Sequence, residues 1–197
     1  MLLIIDNQSS YIKRFKQDVL IEYDIPYLVV DHNEPIDFSK ADNVTGLILS
    51  GGKGNPYSPL NLTADFLALT HFEVPTIGFC LGHEIIAVQY KARIKRLKEA
   101  QRRVSTIELT QPDDPIFEGL NSTQFRIQKK HQWRVVGLAP PLVSLASSPV
   151  TTNEVIRHSE KPIYGFQGHP EVTTDDGRRV MENFLGMCGF GEHLDQS

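Results

Sequence analysis

Apolar positions in the first 90 residues follow two rhythms. Leu2 to Ile5 is a continuous apolar run closed by Asp6, the pattern of a strand covered on both faces of a parallel sheet. From Ser9 to about Glu22, Tyr11, Ile12, Phe15, Val19 and Leu20 recur at helical spacing with Lys13, Arg14, Lys16 and Asp18 between them, which predicts an amphipathic helix lying on that sheet. Residues 26–30, 45–50 and 75–79 read as further strands, and the polar stretch 31–43 as a connection. Asn61 is placed to cap a helix whose inner face carries Leu62, Phe66 and Leu69. Residues 84–90 predict one more helix. Such alternation argues for an α/β fold with a right-handed parallel sheet.

The rhythm then changes. Between 92 and 110, Ile94, Leu97, Val104, Ile107 and Leu109 stand among charged residues, as in paired strands with one wet face. Residues 112–119 predict a turn with one helical turn closed by Gly119. Strands are expected near 122–128, 133–137, 142–147, 154–158 and 162–166, and a last helix over about 175–187 offers Val180, Phe184 and Leu185 to the core. The whole reads as a single domain over residues 1–197, a mostly parallel open sheet flanked by helices with a small antiparallel addition.

Composition changes this picture little. A hydrophobic fraction of 40% and a net charge of −4 are those of an ordinary globular protein, with no general drive toward nucleic acid or an anionic membrane. The basic cluster Lys91, Arg93, Lys95, Arg96, Lys98, Arg102 and Arg103 lacks interleaved aromatic residues, so it is read as the solvated side of a hairpin or a docking face for an acidic partner. Two cysteines, Cys80 and Cys188, make no disulfide framework, and a reducing cytoplasm is expected. No apolar run reaches membrane-spanning length, and the start lacks a secretory basic region.

The chemistry centres on Gly78-Phe79-Cys80-Leu81-Gly82. A strand runs into it and a helix leaves it, so Gly-x-Cys-x-Gly is the thiol counterpart of the Gly-x-Ser-x-Gly nucleophile elbow. A helix starting just after the sulfur is expected to favour thiolate. Such a cysteine needs a base held by a third group. His169 is the best placed of seven histidines, since Gln167-Gly168-His169-Pro170-Glu171 directly follows a strand, and Glu171 is near enough to hold the imidazole. His83, in the first helical turn, is expected to point away from the sulfur, and His32, His71, His158 and His193 to lie at the surface without metal-ligand spacing. Ser50-Gly51-Gly52-Lys53-Gly54 closes the third strand where α/β sheets place ligands, but it does not complete a phosphate-loop motif.

Gly78 to Glu84, Tyr164 to Glu171 and Leu49 to Gly52 together resemble the class I (triad) glutamine amidotransferases, in that family's order and at compatible spacing over nearly the whole chain. Within the family, Glu171-Val172-Thr173 with Gly177 and Asn183-Phe184 is most similar to the glutaminase part of GMP synthetases. The resemblance implies a flavodoxin-like fold and no cofactor. It implies Cys80, His169 and Glu171 as catalytic residues, backbone N–H groups of Gly52 and Leu81 as the oxyanion hole, and Glu84, His131, Gln132 and Trp133 on the substrate side. It also implies hydrolysis of glutamine through a cysteine thioester. The ammonia would pass to a separate synthetase subunit, such as an ATP-pyrophosphatase, because no such region follows the last helix. Three positions depart from the family, one of them Lys53, where it often has proline. Glu84 stands where it usually has glutamine, and as a carboxylate would pair with an α-ammonium but repel an α-carboxylate. Gly168 stands where it usually has a bulky aromatic, which is expected to loosen the segment before His169. These departures leave open a hydrolase of another γ-glutamyl compound, or a non-catalytic binding or regulatory module.

Overall fold

A computed structural model describes residues 1–57, 62–173 and 175–194. Asn61, the expected helix cap, lies outside the described residues. The first strand, β1 (Leu2–Asp6), pairs in parallel with β2 (Tyr27–Asp31) on one side and β3 (Gly46–Leu49) on the other. Next to β3 comes β4 (Thr76–Phe79), and next to that β11 (Ile163–Phe166), both again parallel. Beyond β11 the same sheet turns antiparallel through β10 (Val155–His158), β9 (Leu142–Ser147), β6 (Val104–Leu109) and β7 (Gln124–Gln128). β5 (Arg93–Gln101) and β8 (His131–Gly137) form a separate two-stranded ribbon.

The antiparallel addition is therefore in two places, an extension of the main sheet and a detached ribbon. The hairpin expected within 92–110 is not one. β5 pairs with β8, whereas β6 pairs with β7 and β9. The two strands adjoin in sequence, but Ile94 joins the cluster holding Val135, whereas Ile107 and Leu109 join the opposite one.

Why the sheet is covered on both faces follows from side-chain alternation. Leu2, Ile4, Ile48, Ile77 and Phe79 face one core. There α1 (Ile12–Phe15), continued by a π-helical stretch Lys16–Ile21, and α4 (Asp176–Met187) supply Phe15, Val180 and Phe184. The first helix is thus wider than a regular α-helix over most of its length, which keeps Phe15, Val19 and Leu20 buried and leaves Ile21 62% exposed. Leu3, Ile5, Leu47 and Leu49 face the other core, closed by α2 (Thr63–His71) and α3 (Leu81–Gln89) through Ala68, Ile85 and Ile86. Each wholly buried Leu or Ile is worth about 1.5–3 kcal/mol of transfer free energy, so the continuous run Leu2 to Ile5 anchors both layers at once. A short α5 (Gly191–Leu194) ends the described chain.

Candidate active site

The site is made where β4 and β11 end side by side. Phe79 and Phe166 are in register, and the backbone N–H of Cys80 donates to the Phe166 carbonyl at 2.8 Å. Cys80 thus leaves the sheet next to the segment that carries His169 three residues later. Its backbone has φ 51° and ψ −98°, a strained left-handed conformation for a residue with a β-carbon. Two glycines allow the bend. A β-carbon on Gly82 would run into the Leu49 carbonyl oxygen, and one on Gly78 would lie 2.5 Å from the Gly82 carbonyl carbon. The elbow helix α3 starts at Leu81, earlier than the pattern of apolar residues predicts, and directly after the sulfur.

His169 Nδ1 lies 2.7 Å from Glu171 Oε1, and both side chains are buried. Cys80 and His169 converge on Gly51, where a β-carbon would stand 3.4 Å from Cys80 Cβ and 2.8 Å from His169 Cε1. The His169 backbone is pinned by donation to the Gln128 carbonyl at 2.8 Å, and the Cys80 thiol donates to the Lys130 carbonyl at 3.5 Å. A cleft of about 700 Å³ opens over these groups, lined by Cys80, His169, Gly52, Leu81, Glu84, His131, Gln132 and Trp133. Every residue expected from the sequence lines this one space except Glu171, which stands behind the imidazole.

Electrostatics correct two expectations. Burial pushes the Cys80 thiol well above its ordinary value, with Glu84 and Glu171 adding to the rise and the Leu81 N–H and Lys130 opposing it. The free site holds a neutral thiol, so desolvation outweighs the helix N-terminus that was expected to favour thiolate. Glu84 is buried as well, which pushes its carboxyl up to about 8, while the Gln167 amide donating to it at 3.0 Å pulls the other way. Near pH 7 it is mainly the neutral acid, able to donate and accept like the amide it replaces, rather than a carboxylate that repels anions.

Gly168 does not loosen its segment. A β-carbon there would lie 2.7 Å from Ile127 side-chain carbons and 3.0 Å from the Gln128 carbonyl oxygen, so Ile127 fills the space an aromatic would need. His83 is wholly buried against Gly165, and burial brings its ionisation down to about 3, with a backbone hydrogen bond at Gly165 pulling the other way. His158 is not a surface residue. It is buried against Tyr90 and its Nδ1 accepts from the Glu160 and Lys161 N–H groups, both at 3.1 Å. His131 Nδ1 lies 2.7 Å from the Trp133 carbonyl oxygen, and burial brings its ionisation down to about 4. No cluster of metal-ligating side chains occurs among the described residues. None of the described helices is long and apolar enough to cross a membrane.

Two further residues at the site were not distinguished by the sequence pattern. Tyr11, whose spacing matches a core stripe, stands edge-on to His169 with ring centroids 4.7 Å apart. The Lys130 ammonium lies 5.3 Å from the centre of the Tyr11 ring and donates to Ser10 Oγ at 2.9 Å.

The chain is similar to known proteins over nearly its whole length. One subunit of the glutamine-hydrolyzing GMP synthase of Pyrococcus abyssi is 33% identical over 190 residues, covering 96% of this chain and 99% of that protein. The subunit of the same name from Methanothermobacter thermautotrophicus is 33% identical over 190 residues, covering 95% and 98%. A solved structure from Thermoplasma acidophilum, assigned to the same GMP synthase subunit, superposes with a TM-score of 0.84 at 26% identity, covering 100% of this chain and 97% of that one. A glutamine amidotransferase of Thermotoga maritima shares the fold, with a TM-score of 0.73 at 18% identity, covering 99% and 84%. Residues 3–187, from the first strand to the end of α4, match the family described as glutamine amidotransferase class-I, and with the elbow cysteine, the buried His–Glu pair and the shared fold, the chain belongs to that family.

Proposed function

We propose that this chain is the glutamine-hydrolysing subunit of a two-subunit GMP synthase, delivering ammonia to a separate synthetase polypeptide in the cytoplasm. The observation that carries the reading is the convergence of Cys80 and the His169–Glu171 pair at one cleft. Near-complete mutual coverage with subunits of that enzyme supports the identity of the assembly. Two free thiols are consistent with a reducing compartment.

Because the free thiol is neutral, the proton leaves Cys80 as the reaction begins. His169 takes it while the sulfur attacks the side-chain amide carbon of glutamine, forming the C–S bond. The oxygen gains negative charge and is met by the N–H groups of Leu81 and Gly52. His169 then gives its proton to the departing nitrogen, the C–N bond breaks, and ammonia leaves behind a γ-glutamyl thioester. Water, deprotonated by His169, hydrolyses the thioester to glutamate and restores the thiol. Glu171 orients the ring and stabilises its cationic form. Glu84, His131, Gln132 and Trp133 form the wall against which the amino-acid end of glutamine rests.

Glutamate release from glutamine, measured with the separate synthetase and its substrates present, tests the proposal. Activity should vanish in Cys80→Ala and drop on the order of 10²-fold in Glu171→Gln. A parent protein that released glutamate no faster than Cys80→Ala under those conditions would sink it.

A further inference from the structure

Lys129 and Glu154 form a buried ion pair behind the site, with side chains 1% and 0% exposed. Ser148 Oγ donates to the same Glu154 oxygen, and the second carboxylate oxygen has no partner among the described residues. A pair this deep is weak evidence for stability, since desolvating two charges offsets most of their attraction and an apolar pair of similar volume often does as well or better. What it connects is more telling.

Lys129 sits between the two residues whose carbonyls hold the candidate catalytic groups. Gln128 accepts from the His169 N–H at 2.8 Å, and Lys130 accepts from the Cys80 thiol at 3.5 Å. From this bridge the Lys129 side chain reaches inward to Glu154, whose carbonyl accepts from the Gln167 N–H at 2.8 Å. Gln167 Nε2 donates to Glu84 at 3.0 Å, and the Glu84 N–H donates to the Cys80 carbonyl at 3.1 Å. The path is closed. It leaves Cys80 by its sulfur and returns by its own carbonyl, so the segment over the nucleophile is tied to the strand end beneath it.

We infer that the Lys129–Glu154 pair is a positioning element for the cysteine chemistry, holding segment 128–130 over Cys80 and His169 so that the thiol stays covered and aligned with its base. The inference rests on the glutaminase reading for its kinetic consequence, but not for its effect on the thiol itself. Loosening the bridge would let water reach the sulfur and free the thiol from a carbonyl that favours its protonated form; the Lys130 ammonium on the same segment acts the other way, but more weakly than burial, while Glu84, Glu171 and the Leu81 N–H lie on other segments and stay in place.

Lys129→Met alone leaves a buried carboxylate uncompensated and is expected to destabilise the fold, so the test is the double variant Lys129→Met/Glu154→Leu. Two measurements are made after cooperative unfolding of the variant has been confirmed. The first is the pH midpoint for alkylation of Cys80 by iodoacetamide, read by peptide mass so that Cys188 does not contribute. The second is kcat and KM for glutamine with the synthetase present. The midpoint should fall by about half a pH unit or more, and kcat should drop about tenfold or more with KM within about threefold. A lowered midpoint in a chain whose parent shows no glutaminase activity would still support the positioning role and would count against the glutaminase reading alone. A midpoint equal to the parent's, whatever kcat does, overturns the inference, because the pair then only fills the core.

Discussion

Replacing Glu84 by glutamine removes one titratable group from the cleft floor while keeping the shape and the acceptor for the Gln167 amide. In the folded chain burial holds the Glu84 carboxyl near 8, against an ordinary 4.5. Between those values the unfolded chain releases a proton that the folded chain keeps. Stability is therefore undiminished by this group below pH 4.5, falls as pH rises, and levels off above about 8. Each pH unit in that window costs about 1.4 kcal/mol. The accumulated cost is below about 1 kcal/mol at pH 5 and about 3 kcal/mol at pH 7. Glu84→Gln carries no such cost, so its advantage over the parent should widen by about 3–4 kcal/mol between pH 5 and pH 8. Urea unfolding of both proteins at several pH values reads this directly, as midpoints that separate by roughly 1–2 M while the slopes stay equal. Asp65, raised to about 7 by burial, tilts both curves alike and cancels in the difference. A stability difference that stayed constant from pH 5 to pH 8 would refute the argument, because Glu84 would then ionise in the folded chain as it does in the unfolded one.

Two further outcomes follow from the same geometry. Gly82→Ala drives a methyl into the Leu49 carbonyl, and because that neighbour is backbone it should cost about 1–3 kcal/mol or more in thermal unfolding and lower the yield of Cys80 adducts with a glutamine-analogue electrophile. His83, buried and neutral with its ionisation near 3, has the opposite pH sense to Glu84, since below pH 6.5 the unfolded chain takes up a proton that the folded chain refuses. Going from pH 7 to pH 5 the parent should lose about 2 kcal/mol that His83→Leu keeps, and equal losses in the two proteins by denaturant titration would show that the ring is charged in place.

Much of the architecture was legible in local pattern. The run Leu2 to Ile5, the stripe Phe15, Val19 and Leu20, and the helix that buries Val180, Phe184 and Leu185 each need only side-chain periodicity to be recognised, because burial on one face or two leaves a fixed spacing in the chain. The elbow was legible for the same reason, since its glycines answer to contacts within a few residues and with the next strand. What pattern could not supply was adjacency. β4 and β11 are neighbours across more than eighty residues of sequence, and only that pairing sets Cys80 beside His169. The ribbon β5–β8 replaced an expected hairpin because the choice of partner is made by shared burial, not by proximity along the chain. Charge state was hidden most completely. Glu84 as a neutral acid, Cys80 as a neutral thiol and Lys129 paired with Glu154 all arise from desolvation and from partners brought in by the fold. The sequence by itself determined the elements, the elbow and the residue types able to do the chemistry. The tertiary structure alone decided which of them meet and which protons they hold, because ionisation depends on the local dielectric and on groups distant in sequence.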